Sequence, residues 1–263
     1  MCTTCGCSSS HHHLNLLQPR LRNGTSVDST AQHLEFKVLQ RNDSMAEQNR
    51  RGFDAHHVLA LNLVSSPGAG KTTLLEKTLQ ALAADMPMAV IEGDQATERD
   101  AQRIQDTGVP VVQINTGTGC HLDADMIRQA VQQLEPLDRH LLWIENVGNL
   151  VCPALFDLGE KHKIVLLSVT EGDDKPLKYP HMFQAASLML ITKMDLLPHV
   201  DFDVNQCIDH ARRINPRLAV LQLSARNGEG MVQWFEWLAG QRQPDNGAKT
   251  RGATGVAPPF LRI

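Results

Sequence analysis

The sequence predicts an α/β fold, a mostly parallel sheet flanked by helices, and three observations carry that expectation. Short apolar runs recur along the middle of the chain, continuous rather than alternating, as suits strands covered on both faces. Each run is followed by a stretch in which apolar residues return at helical spacing, and strand–helix repetition of this kind builds a parallel sheet. Polar and glycine-rich clusters fall just after the runs, at the carboxyl ends of strands, where open α/β sheets place their ligands. At 263 residues the chain can bury one full core with tails to spare. The expected division is a Cys- and His-containing tail and linker over residues 1–33, a folded domain over 34–241, and a disordered C-terminal tail over 242–263.

Taken in order, residues 34–51 carry Leu34, Val38 and Met45 among polar neighbours, which suggests an amphipathic helix with Glu47, Arg50 and Arg51 on its wet side. It would pack on the folded domain or on a second copy. Residues 58–64 are an apolar strand, and Ser65-Ser66-Pro67-Gly68-Ala69-Gly70-Lys71-Thr72-Thr73 leads from it into a helical pattern over 74–79. Strand, glycine-rich turn and helix closing on Gly-Lys-Thr is a phosphate-binding P-loop, so the expected fold narrows to that of P-loop NTPases. The backbone N–H groups of Gly68, Ala69, Gly70, Lys71, Thr72 and Thr73 would cradle phosphate oxygens. Lys71 would reach the β- and γ-phosphates, and the Thr72 hydroxyl would face Mg²⁺. Ser65 stands where the motif opens with glycine, so the turn must begin without that residue's freedom.

Residues 88–94 read as a strand ending in carboxylates, and 95–107 as a helix. Residues 109–115 form the next strand, with the loop 116–121 after it, and Asp123 caps a helix to about residue 134. Residues 141–145 are a buried strand with the exit loop 146–149. Further strands fall at 164–169, 188–192 and 218–223, and helices near 202–214 and 230–237. Glu145-Asn146-Val147-Gly148 occupies the place of the Asp-x-x-Gly of P-loop GTPases: Glu145 would hold Mg²⁺ or its water, and the Gly148 N–H would touch the γ-phosphate. Asp94 is the other candidate carboxylate on the Mg²⁺ side; either acid could instead be a plain helix cap. Thr192-Lys193-Met194-Asp195 sits where GTPases carry Asn-Lys-x-Asp. The Asp195 carboxylate would accept two hydrogen bonds from the guanine edge, which adenine cannot supply, and the Lys193 stem would cover the base. With Thr192 in place of asparagine one amide contact is missing, and guanine affinity is expected to suffer. Ser224-Ala225-Arg226 resembles the loop that contacts the guanine carbonyl, so GTP and GDP are expected over ATP.

The cysteines fall into two clusters. Cys2, Cys5 and Cys7, with Gly6 permitting a tight backbone, can wrap one soft or borderline ion, and Ni²⁺, Cu⁺ and Zn²⁺ all suit thiolates. The bland alternative is an oxidation-prone tail. Residues 8–30 look disordered, and His11-His12-His13 within them is either a weak metal tract or a solvated linker. Cys120 and His121 follow a glycine-rich loop, and Cys152 lies just after Gly148. These are Zn²⁺- or Ni²⁺-type ligands, but one chain gives only three, so water or a second chain must complete the shell. A buried structural Cys152 with a surface His121 is the competing reading. Cys207 fits no cluster and reads as a helix-face thiol. A formal net charge of −4 argues against nucleic acid as a main partner. No run is long and apolar enough to span a membrane, and no signal peptide opens the chain, so a cytoplasmic protein is expected.

The chain resembles the hydrogenase nickel-incorporation GTPases, the HypB family. The resemblance rests on the Cys2-x-x-Cys5-Gly6-Cys7 opening, Asn62 to Gly68, Glu92-Gly93-Asp94-Gln95, Gly119-Cys120-His121-Leu122-Asp123, and Glu145 through Pro153. It implies a GTP-promoted homodimer that works with companion nickel-maturation proteins and delivers Ni²⁺ to the large subunit of [NiFe]-hydrogenase. It also implies a tight nickel site on the tail, and a weaker Ni²⁺/Zn²⁺ site from Cys120, His121 and Cys152 at the dimer interface. A urease nickel GTPase is a near alternative that the cysteine-rich opening disfavours. A P-loop kinase would need an acceptor pocket and an Arg-rich lid, neither of which is visible. A passive metal store would leave the nucleotide domain as mere scaffold. Phosphate release from GTP with no added acceptor separates the switch from the kinase.

Overall fold

A computed structural model describes residues 26–95, 99–134 and 136–241. The tail ligands Cys2, Cys5 and Cys7, the His11–His13 tract and the C-terminal residues 242–263 lie outside them. Among the described residues seven strands, β1 (Leu59–Ser65), β2 (Met88–Asp94), β3 (Val111–Asn115), β4 (Leu141–Gly148), β5 (His162–Ser168), β6 (Leu188–Thr192) and β7 (Ala219–Gln222), pair in the order β3-β2-β4-β1-β5-β6-β7. Every pairing is parallel. The helices are α1 (Ser26–Ala55), α2 (Lys71–Leu82), α3 (Arg99–Gln105), α4 (Ala124–Leu134), α5 (Cys152–Leu155), α6 (Lys175–Lys178), α7 (Pro180–Ala185), α8 (Val204–Ile214) and α9 (Met231–Gln241), with a 3₁₀ turn over Met194–His199. The expected parallel α/β architecture is what the chain adopts. The pieces α5 to α7 and the 3₁₀ turn are too short to show a helical period in sequence.

Alternation along β1 divides the core. Leu61 and Leu63 point to the face covered by α2 and α9, where Leu74, Leu75, Leu79, Trp143, Trp234 and Leu238 form one continuous apolar cluster. There Trp234 Nε1 donates to the buried Thr78 hydroxyl at 2.9 Å, which satisfies the polar end of an otherwise apolar ring. Ala60, Asn62 and Val64 point to the opposite face. That face carries two clusters, one under α1 and α4 and one under α7 and α8.

The helix expected from residue 34 begins at Ser26 and ends at Ala55, and its packing stripe differs from the one its apolar residues suggested. Leu34 and Val38 are 65% and 50% exposed, whereas Asn42, Ala46, Asn49 and Phe53 are buried. These four recur at helical spacing and so share one face. The two asparagines are inside because loop backbone there needs partners. Asn42 donates to the Asp157 carbonyl at 2.8 Å and accepts from the Ala124 N–H at 2.9 Å. Asn49 donates to the carbonyls of Ala124 and Leu158 at 2.8 and 3.0 Å. Gly159, at φ +90°, lets this loop pass under the helix, since a Cβ there would lie 2.6 Å from the Ala46 carbonyl oxygen. The strand expected to stop at residue 145 runs on to Gly148, because β4 resumes pairing with β1 at Ser65↔Gly148 after a register irregularity.

Candidate functional site

The centre of the sheet's carboxyl edge is where β1 runs into α2. Gly68 (φ 76°) and Gly70 (φ 99°, capping α2) take left-handed conformations that L side chains rarely adopt. Ser65 is the last residue of β1 and keeps strand geometry, so the absence of an opening glycine costs the turn nothing. Its buried hydroxyl accepts a hydrogen bond from Lys71 Nζ at 3.0 Å.

Beside the P-loop, β4 lies between β1 and β2, and this order brings two carboxylates together. Glu92 pairs in register with Glu145, and both are buried. Glu145 Oε1 accepts from the Thr72 hydroxyl at 2.7 Å, while Glu145 Oε2 and Glu92 Oε2 are buried without a partner. Burial raises the Glu145 pKa, opposed by the Lys71 charge and the Thr72 bond. Burial first, then the charges of Glu145 and Asp94, pushes Glu92 up to about 8. Orphaned carboxylate oxygens next to a threonine hydroxyl are a donor set that a hard divalent cation such as Mg²⁺ fits. Asp94 is less enclosed, with Oδ1 accepting from the Gln95 N–H at 2.6 Å. Gly148 lies directly against the P-loop: a Cβ on it would sit 2.9 Å from Pro67 Cγ.

At the far end of the cradle the side chains are tied to one another. Thr192 turns its hydroxyl inward to the Ala69 carbonyl at 2.8 Å, and Lys193 Nζ donates to the Gly68 carbonyl at 2.7 Å. The Ser224 hydroxyl donates to Asp195 Oδ1 at 2.6 Å, with Ala225 next in the chain. Thr192 is 3% exposed and braces the P-loop.

The second cluster forms at the same edge. Cys120 and His121 follow β3, and Cys152 opens α5. The two loops are not adjacent in the sheet, because β2 lies between β3 and β4; they meet beyond the end of β2. The sulfurs of Cys120 and Cys152 are 3.1 Å apart, and one ligand atom from each of Cys120, His121 and Cys152 lies within 4.8 Å of the others. Burial lowers the His121 pKa, which favours the neutral ring a metal binds, and the Phe156 ring packs against it, tilted by 33°, with ring centres 3.9 Å apart. Two thiols and an imidazole suit a borderline ion such as Zn²⁺ or Ni²⁺. Cys207 is buried elsewhere, its thiol pushed up to about 12 by burial.

Three side chains of this edge, Glu92, Asn149 and Gln95, have neighbours that the sequence does not reveal. Glu92 stands in an apolar run, a buried acid that only strand register reveals as the neighbour of Glu145. Asn149 donates to the Cys120 carbonyl at 3.1 Å and accepts from the Val151 N–H at 2.8 Å, so the residue after Gly148 holds both metal-ligand loops. Gln95, next to Asp94, donates to the Gly119 carbonyl at 3.0 Å. A cavity of about 410 Å³ bounded by Ser66, Pro67, Gln95, Cys120, Asn149 and Lys175 joins the P-loop to the thiol cluster.

Comparison with known proteins points to one family. The family described as CobW/HypB/UreG, nucleotide-binding domain, matches residues 59–222. The hydrogenase maturation factor HypB of Azotobacter chroococcum is 62% identical over 80% of this chain and 68% of its own length. That of Escherichia coli K12 is 61% identical over 80% of this chain and 72% of its own. Among solved structures, HypB from Helicobacter pylori in complex with nickel superposes with a TM-score of 0.72 at 39% identity, over 77% of this chain and 95% of that one. HypB from Archaeoglobus fulgidus superposes with a TM-score of 0.73 at 37% identity, over 78% and 100%.

Proposed function

The chain belongs to the CobW/HypB/UreG family, among the HypB hydrogenase maturation factors, and from that premise we propose that it is a GTP-hydrolysing nickel metallochaperone whose metal release is coupled to its nucleotide state. Its target is the large subunit of [NiFe]-hydrogenase, reached with companion nickel-maturation proteins from the cytoplasm. The observation that carries this reading is Asn149: it follows Gly148, the γ-phosphate sensor packed on Pro67, and its amide holds the Cys120 carbonyl. Movement of that loop on hydrolysis displaces Cys152 and releases its grip on Cys120.

In this reading Gly68 to Thr73 bind the phosphates, Lys71 neutralises β/γ charge, and Lys193, Asp195, Ser224 and Ala225 hold guanine. Thr72, Glu145 and Asp94, with Glu92 behind them, would hold Mg²⁺ or its water, and the cation would supply neutralisation of phosphate charge. Cys120, His121 and Cys152 bind Ni²⁺ or Zn²⁺ as cargo, completed by water or by the partner copy of a GTP-promoted homodimer. Cys2, Cys5 and Cys7 form a second nickel site on the tail.

Turnover is slow. Residue 149, where fast GTPases place a water-orienting Gln, is an Asn engaged with the metal loop. An unassisted enzyme of this kind turns over at about 10⁻⁴ to 10⁻³ per second. Phosphate release from GTP near that rate with no added acceptor, accompanied by transfer of Ni²⁺ to a chelator, supports the switch. A strict need for a small acceptor, or unassisted turnover above about one per second, would refute it.

A further inference from the structure

The Cys120–His121–Cys152 cluster stands on a seam of buried polar side chains that nucleotide binding does not use. On the sheet face away from α2 and α9, the two apolar clusters are parted by Asn62 of β1, Asn146 of β4, and Glu160 and Lys163 at the entry to β5. None of the four is more than 8% exposed. A mid-sheet asparagine and an internal ion pair are costly beside apolar residues of the same size, unless they hold something in place.

What they hold is legible from the hydrogen bonds. Asn62 Nδ2 donates to Glu160 Oε1 at 3.0 Å, and Asn146 Nδ2 donates to Asn62 Oδ1 at 3.3 Å. Glu160 Oε2 accepts from the Leu158 N–H at 2.7 Å, and its other oxygen lies 3.6 Å from the Lys163 ammonium. Both ends of this chain leave the seam at the metal ligands. Asn146 Oδ1 accepts from the N–H of Leu122, the residue after His121, at 3.3 Å. Lys163 Nζ donates to the carbonyl of Pro153, the residue after Cys152, at 2.7 Å, and to that of Phe156 at 3.0 Å. These two carbonyls lie in and just after α5, whose first residue is Cys152, and Phe156 is the ring packed against His121. One ammonium therefore clamps the turn that carries one ligand and the ring that packs against another.

We propose that Lys163, with Glu160 as its counter-ion, is a positioning residue that fixes Cys152 and His121 relative to each other in the metal site. The proposal rests on the metal-site reading above. Ligands drawn from separate loops must otherwise be ordered when the ion binds, and a clamp already in place removes that entropic cost. Among the described residues, Lys163 and Glu160 make no hydrogen bond or ion pair with the P-loop or the guanine-side residues, so the nucleotide affinity of the metal-free protein is independent of them.

The test uses the full chain with Cys2, Cys5 and Cys7 changed to alanine, so that tail thiols do not compete. In that background E160Q/K163M replaces the ion pair by neutral side chains of similar length and leaves no buried charge unpaired. N62A, a milder cut in the middle of the seam, serves if the double variant does not fold. Zn²⁺ affinity is read by competition with a chromophoric chelator, nickel geometry by the thiolate charge-transfer band, and GDP affinity by calorimetry on the metal-free protein. The expected result is a loss of metal affinity of about 10- to 100-fold and an altered nickel band, with GDP affinity unchanged. Metal affinity equal to the parent's overturns the proposal, and so does a parallel fall in GDP affinity, which would signal general loosening. A parent that binds no metal without its tail thiols overturns the metal-site reading itself, and the proposal with it.

Discussion

At the end of the cradle proposed to hold guanine the side chains hold one another, Thr192 on the Ala69 carbonyl, Lys193 on the Gly68 carbonyl and Ser224 on Asp195. At the phosphate end Glu92 and Glu145 each keep a buried oxygen without a partner, and Gly148 rests on Pro67 with no room for a Cβ. The first arrangement is preorganised and has little reason to change when a base arrives. The second keeps desolvated, unpaired carboxyl oxygens, a cost that a bound cation would relieve. Among the described residues, only this second end reaches the thiol cluster, through Gln95 and Asn149. On the proposed function, recognition and switching would be separated along one cradle.

Breaking the phosphate end gives the largest effect. Lys71→Ala removes the cation now parked on Ser65 and should lower GTP turnover by about a thousandfold, measured as phosphate release; a loss below tenfold would mean the phosphate charge is balanced elsewhere. Breaking the guanine end acts on affinity instead. Asp195→Asn keeps one acceptor oxygen and loses one charge-assisted bond worth about 1.5–3 kcal/mol, so GTP and GDP should both weaken by roughly 10- to 150-fold in calorimetry. Equal binding by the variant would remove Asp195 from the base site. Gly148→Ala sharpens the contrast, because its Cβ must displace Pro67: GDP affinity should hold while turnover falls about tenfold, in line with a lost positioning contact of about 1.4 kcal/mol. Loss of GDP binding would show that Gly148 serves the cradle as a whole. Thr192→Val keeps the shape and deletes one buried bond worth about 1 kcal/mol, so nucleotide affinity should drop only about fivefold.

The same division governs how much could be read before any coordinates. The P-loop, the 192–195 stretch and the three metal-type ligands are local patterns, in which each residue type has a chemical reason at its position. The strands were legible because a parallel sheet covered on both faces needs unbroken apolar runs. What escaped depends on register and on neighbours distant in sequence. Glu92 gains meaning only when β4 inserts between β1 and β2. Asn42 and Asn49 face inward for the sake of loop carbonyls around residues 124 and 157–158, a need that helix periodicity does not express. Thr192, read as a missing contact to the base, braces the P-loop because its hydroxyl reaches inward. Lys163 looks like an ordinary charge at the start of a strand until its two carbonyl partners are seen.

The most direct test of the account is a Zn²⁺ and Ni²⁺ titration of the full chain lacking Cys2, Cys5 and Cys7, with GDP, with a non-hydrolysable GTP analogue and with neither. A loop shared by Gly148, Asn149 and Cys152 predicts that metal affinity differs between the GDP and GTP-analogue states by about 5- to 150-fold, and that metal shifts nucleotide affinity by the same factor. Identical metal affinities in all three states would contradict it and leave Cys120, His121 and Cys152 as a static site.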